Sequence, residues 1–182
     1  MKLNVIKKLT VSLSLLVLAT LPAMAESPAR FEGAWRSCST FEKDHDSSFA
    51  GQTICTGYYL LQRNDKICGT WANFATGMYE GRLQATVIDP THAKVTKICG
   101  RPSSDMQTQC EGSFEKDVPV GWEDSQQTLE LCHGRLLGVG EVCQAANTQQ
   151  GYGGQALKPS KRKELLSQPW VQSCLAGSSS AP

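Results

Sequence analysis

An all-β fold is what this sequence predicts: an antiparallel meander held by disulfides, closed or nearly closed into a barrel, with a short C-terminal helix. Three observations point to it. Short segments rich in β-branched and aromatic residues alternate apolar and polar positions, with turn residues between them. No comparable stretch up to Cys143 carries helical periodicity. Eight cysteines (Cys38, Cys55, Cys68, Cys99, Cys110, Cys132, Cys143 and Cys174) punctuate the whole region.

The chain opens as an export signal. Lys2, Lys7 and Lys8 precede an apolar run from Leu9 to Leu21, Pro22 breaks it, and Ala23-Met24-Ala25 supplies the small-x-small cleavage pattern. A hydrocarbon core needs about 20 apolar residues, so this run is too short to span one. Residues 1–25 are therefore expected to be removed, leaving no membrane attachment. The expected organisation is a barrel domain over 26–145, followed by a linker, short helix and tethered tail over 146–182.

Strands follow in order. Gly33 begins the first. Thr53 to Gln62 is rich in β-branched and aromatic types, and Asn64-Asp65 turns it into Lys66 to Asn73. Tyr79 to Val87 alternates most cleanly, with apolar or small residues at odd positions and polar ones at even positions. Asp89-Pro90 ends it. His92 to Cys99 and Gln107 to Phe114 are the next candidates. Thr128 to Cys132 and Arg135 to Cys143 form a hairpin about His133-Gly134. Asn147 to Gln155 then reads as a glycine-rich linker, Ser160 to Leu166 as a helical turn or two, and Trp170, Val171 and Cys174 as an anchoring cluster.

Compartment and charge narrow the chemistry. Thiols at this density persist as disulfides in oxidising compartments, so a periplasmic or secreted location is expected. Successive cysteines are 17, 13, 31, 11, 22, 11 and 31 residues apart, without the close pairs that structural zinc uses. The whole chain has 18 basic and 17 acidic residues, and the signal holds three of the lysines and no acid, leaving 15 against 17. A nearly neutral protein has no electrostatic reason to bind nucleic acid or anionic lipid.

Register arithmetic gives disulfide expectations. With Asn64-Asp65 at a hairpin tip, Cys68 faces Leu61, and Cys55 lies roughly 20 Å away along the strand, too far to bond. A loop centred near Asp46-Ser47 sets Cys38 opposite Cys55, and one near Ser104-Asp105 sets Cys99 opposite Cys110. Parity along Arg135–Cys143 turns Cys143 outward toward Cys174, which leaves Cys68 for Cys132.

No catalytic constellation assembles in the sequence. His45, His92 and His133 all fall in turns, where solvated polar residues are ordinary. No nucleophile elbow, H-E-x-x-H helix or phosphate-binding glycine loop occurs. Glu42, Asp44 and Asp46 alternate like half a calcium loop but lack its glycine and terminal glutamate, and read as a solvated charge run. No cofactor or metal is expected. Trp35, Trp71, Tyr79 and Leu83 lie on predicted strands where they can line one interior, as ligand-binding candidates. The loops Glu42–Gly51 and Glu115–Ser125 offer Asp44, His45, Val118, Val120 and Trp122 as partner-binding candidates.

The segment Phe31-Glu32-Gly33-Ala34-Trp35 resembles the G-x-W opening of the calycins, the lipocalin and avidin superfamily of antiparallel barrels. A secretory signal, about eight meandering strands, a helix after the last strand and a cysteine-bearing tail agree with it. The resemblance implies that Gly33 and Trp35 close the barrel base and that Arg135 stacks on that tryptophan. The central T-D-Y signature of lipocalins is not present. The function expected is an exported, non-enzymatic binding protein for a small apolar molecule or a partner protein. An inhibitor or immunity protein against a secreted hydrolase, and a small secreted hydrolase, are the alternatives.

Overall fold

The computed structural model describes residues 30–42, 50–74, 78–100, 107–111, 116–138 and 140–177, with the backbone alone at 73–74 and 78–80. The signal segment, Asp44 and His45 lie outside the described residues. Among the described residues, nine strands run as β1 (Gly33–Thr40), β2 (Thr53–Arg63), β3 (Lys66–Phe74), β4 (Met78–Val87), β5 (His92–Gly100), β6 (Glu123–Asp124), β7 (Thr128–Cys132), β8 (Arg135–Leu136) and β9 (Gly153–Gln155). Helices α1 (Pro159–Leu166) and α2 (Pro169–Leu175) follow.

The strands form one antiparallel sheet in the order β8-β7-β5-β4-β3-β2-β1-β9, with β6 also on β5. Its two ends meet. Tyr152 N donates to Leu136 O at 2.7 Å and Leu136 N to Tyr152 O at 3.1 Å, so the sheet curls into a nearly closed barrel. Closure satisfies edges that would otherwise present unpaired backbone groups. Turn chemistry sets the register. Asn64 adopts φ 54°, and His133 and Gly134 adopt φ 51° and 75°, the left-handed conformations that tight hairpins require. The Asn64-Asp65 turn pairs Leu61 with Cys68, and the first hairpin pairs Cys38 with Cys55; both registers agree with the sequence reading.

The alternation of β4 is realised in burial. Gly81, Leu83 and Ala85 are buried, while Arg82, Gln84 and Thr86 are half-buried. Leu83 and Ala85, together with Phe31, Trp35, Leu60, Ile67, Val95, Leu129 and Leu136, fill the barrel interior. A second apolar cluster lies on the outer face of β2 and β3, where Leu61 and Cys68 meet Leu165, Val171, Cys174 and Leu175 of the helices. Pro169 opens α2, a position where its missing N–H costs nothing.

Four disulfides form: Cys38–Cys55, Cys68–Cys174, Cys99–Cys110 and Cys132–Cys143. The first and third match expectation. The other two correct it. The strand expected over Arg135–Cys143 ends at Leu136, and Glu141 turns back, its N–H donating to Gly138 O and its carboxylate accepting from Gly138 N. That turn returns Cys143 to Cys132 and voids the parity argument. Cys174 instead meets Cys68 because α2 packs on the outer face of β3.

Two further expectations change. Gln107–Phe114 is not a strand in its described part; Gln109 makes one parallel bridge to Val120. The glycine-rich stretch expected to be a linker supplies β9, which pairs with Ala34, Trp35 and Arg36. Gly154 of that stretch lies against the Trp35 ring, where a side chain would collide with the indole. Among the described residues, no helix is long and apolar enough to cross a membrane.

Candidate functional site

The barrel has two unlike ends. At one, Phe31 and the turns at Asn64-Asp65 and Asp89–Thr91 cap a filled interior. The Trp35 indole Nε1 donates to Phe31 O at 2.9 Å, and Phe31 N donates to the Gln62 amide oxygen at 3.0 Å. At the other end β1 changes character: Gly33 and Trp35 are buried, whereas every residue from Arg36 to Thr40 is exposed. Both faces of that strand are exposed there.

A belt of aromatic residues marks the transition. Trp35 pairs with Tyr58, Tyr58 with Trp71, Trp71 with Gly81, and Gly81 with Gly100. On the far side Trp35 pairs with Gly154. These residues share one level and one face, the face that carries Ile67 and Leu83 into the core. Each tryptophan leans across a glycine: a Cβ on Gly81 would come 2.0 Å from Trp71 Nε1, and one on Gly154 would come 2.5 Å from Trp35 Cζ3. Trp35 is 6% exposed, while Tyr58 and Trp71 are half-buried. Tyr152 stands edge-on to Tyr58, ring centroids 5.3 Å apart. Burial, then the neighbouring Tyr152 and Glu141, push the Tyr58 phenol well above its ordinary value of 10.0. Desolvation penalises the phenolate.

The sequence reading sets Trp35, Trp71, Tyr79 and Leu83 along one interior. Trp35 and Trp71 flank Tyr58 directly. Leu83, 3% exposed, belongs to the packed core below the belt. Tyr79 lies two residues before Gly81 on β4, paired with Asn73; its side chain is outside the described residues. Tyr58 was missed, although the signal was present. The two hairpin registers place residue 58 opposite both 35 and 71. Tyr152 carried no such signal, since it sits in a stretch without periodicity.

Of the partner-binding candidates, Val118, Val120 and Trp122 fall within the described residues, on one segment that leads into β6. Val118 is half-buried and Val120 is 57% exposed. Trp122 packs against Trp170 of α2, centroids 5.6 Å apart and planes tilted by 56°. The Arg82 guanidinium lies 5.4 Å from the Trp170 ring and is ion-paired with Glu111. A neighbouring open groove of about 600 Å³ is lined by Ile98, Gln107, Glu123, Asp124, Ser125, Gln126 and Gln127. Its lining is mainly polar. Arg135 donates from Nε to Gln150 O at 2.9 Å and from Nη2 to Gly151 O at 2.7 Å, bracing the chain that enters β9.

Two of the three histidines, His92 and His133, fall within the described residues, each at a turn. His92 Nδ1 is 2.8 Å from Asp89 Oδ2, and its Nε2 is 3.9 Å from Glu130 Oε1. Both ring nitrogens face carboxylates at the tip of a hairpin, and Thr91 Oγ1 donates to Asp89 at 2.9 Å. The arrangement clamps a turn: His92 Nδ1 also lies 3.1 Å from the Thr91 hydroxyl, which donates to Asp89 in the same cluster. The Thr91 backbone N–H first, then its hydroxyl and the His92 ring and N–H, lower the Asp89 carboxyl from 3.8 to about 2. Cys132, His133 and Cys143 bring three ligand-type atoms within 4.8 Å of one another. The two sulfurs are bonded to each other, so neither is the thiolate a metal needs.

Comparison with protein-family models, with curated proteins and with solved structures finds no match for this chain.

Proposed function

We propose that this chain is an exported, non-enzymatic binding protein that takes a small apolar molecule at the open end of its barrel. One observation carries the reading: the aromatic belt of Trp35, Tyr58 and Trp71 lies at the level where the packed interior gives way to solvent. Two half-buried rings on rigid strands give a ligand flat apolar contact at little entropic cost. The export signal and four disulfides support work in the periplasm or outside the cell.

Native mass spectrometry of protein recovered from its own oxidising compartment tests this. A retained small molecule is expected, together with quenching of indole fluorescence when apolar ligands are added. Trp71→Ala is expected to weaken that binding by about tenfold or more, as loss of an aromatic anchor does. A protein that never carries or binds such a molecule overturns the reading.

A second reading has its own support. The interior below the belt is filled, and Val120 stands exposed beside the Trp122–Trp170 pair. Both suit recognition of a partner protein, such as a secreted hydrolase that the chain would inhibit. Co-purification of a stoichiometric protein in place of a small molecule would favour it.

A further inference from the structure

The Cys132–Cys143 bridge has a histidine beside it. A ring nitrogen of His133 and the two sulfurs lie within 4.8 Å of one another. Among the described residues, no histidine or carboxylate forms such a group with any other bridge. Backbone geometry explains the placement. Consecutive side chains on a regular strand point to opposite faces, but His133 adopts φ 51° at the turn between β7 and β8, and its ring comes to the bridge. That ring is exposed, and among the described residues it makes no hydrogen bond or ion pair. The two nitrogens of His92, by contrast, both face carboxylates.

The two sulfurs differ in access. Cys132 is 2% exposed, whereas Cys143 is half-buried and follows Val142, which is 75% exposed. A solvent-borne reagent therefore meets Cys143 first. The segment around Cys143 is also held independently of the bridge. Gln150 Nε2 donates to Val142 O at 2.9 Å, and Gln144 N donates to Gln150 Oε1 at 3.1 Å. One side-chain amide thus clasps the backbone on both sides of Cys143, while Cys132 is held by its pairing with Arg135. An opened pair stays in place and can close again.

We infer that Cys132–Cys143 is a reversible thiol–disulfide exchange site, with His133 steadying the departing thiolate and an external dithiol as co-reactant. One thiolate of the dithiol attacks Cys143 Sγ, and the electron pair of the sulfur–sulfur bond leaves on Cys132 Sγ. Burial opposes a thiolate there. An imidazolium beside it offsets that cost and gives up its proton to the sulfur. The second thiol of the co-reactant then loses its proton to water and attacks the mixed disulfide. Cys143 is released as a thiolate and is protonated by water. In sum the bridge gains two electrons and two protons, and the dithiol becomes a disulfide. Exchange runs faster where the leaving thiolate is the more stable one.

The test treats the full oxidised protein with dithiothreitol under native conditions, quenches by alkylation, and follows each bridge by peptide mass. Cys99–Cys110 is the internal control. It has the same sequence separation of 11, and Cys99 is similarly buried, at 1% exposure. Cys132–Cys143 is expected to open at least about tenfold faster than that control, with circular dichroism unchanged, and to close again on oxidation. His133→Asn retains a residue suited to the left-handed turn. It is expected to slow this bridge about tenfold and to leave the rates of the other three unchanged. With glutathione as the probe, the trapped adduct is expected on Cys143. Equal rates for the two bridges of equal separation overturn the inference, as does a bridge that opens only when the barrel unfolds. A bridge that reacts as fast in His133→Asn, or an adduct on Cys132, overturns it equally. Should His133→Asn fail to fold, the control bridge and the adduct position decide.

Discussion

Trp71 rests its indole on Gly81 of the neighbouring strand, where a Cβ would meet Nε1 at 2.0 Å. The cross-strand pair therefore depends on the absence of a side chain. Glycine weakens a strand by itself, but an aromatic ring covering it restores the lost packing. Gly81→Ala is expected to displace the indole and destabilise the protein by about 1–3 kcal/mol, the usual cost of overpacking. Urea unfolding gives the stability, and the Trp71 emission spectrum reports the displaced ring.

The four disulfides are expected to contribute unequally. Cys68–Cys174 spans 106 residues and Cys132–Cys143 only 11. By loop-closure entropy the first contributes roughly 4–5 kcal/mol and the second about 3. Replacing Cys68 and Cys174 together by alanine should therefore lower stability more than the Cys132, Cys143 double variant. It should also release α2 from the sheet, seen as faster amide exchange over Pro169–Leu175. Equal losses in the two variants would argue that α2 holds to β3 by apolar contact alone.

Acid stability should carry the mark of Asp89. Its carboxyl is lowered from 3.8 to about 2 by bonds that exist only in the folded turn. A depressed folded value gives stability that is complete above about 3.8 and is lost as pH falls toward about 2. Asp89→Asn should flatten the dependence of stability on pH within that window and leave it unchanged near neutrality apart from a constant offset. Thermal unfolding at a series of pH values measures it. The side chain is solvent-exposed, so the effect is expected to be small.

Tyr58 predicts the opposite limb. Burial and the neighbouring Tyr152 and Glu141 hold its phenol above the ordinary 10.0. A raised folded value gives stability that is fully present below about 10 and is lost as pH rises beyond it. Ultraviolet titration of the native protein should show one tyrosine ionising later than the rest. Tyr58→Phe should remove that late step. A Tyr58 that ionises with the others would place the belt in open solvent.

Hairpins were legible because their determinants are local. Asn64-Asp65 and His133-Gly134 announce tight turns, and a turn of known length sets which residues face each other. The pairings Leu61 with Cys68 and Cys38 with Cys55 followed from counting alone, and so would Tyr58 between Trp35 and Trp71. Local pattern stopped short wherever a segment found its partner across the barrel. The bulge between Gln84 and Ala85 shifts the register of β5, and no residue type in the sequence marks it.

By itself, then, the sequence determined the antiparallel strands from β1 to β5, the tight turns and two of the four disulfides, since each rests on neighbours along the chain. Only the tertiary structure decided that Cys174 meets Cys68, that Gly153–Gln155 becomes a strand, and that three aromatic side chains form one belt. These depend on surfaces that exist only after the sheet has curled: an outer apolar face for α2, and a bare backbone strip at Gly154 and Gly81 on which indoles can lie. The physical reason is that burial is a property of the assembled barrel, and a linear pattern records it only where one strand face stays buried from end to end.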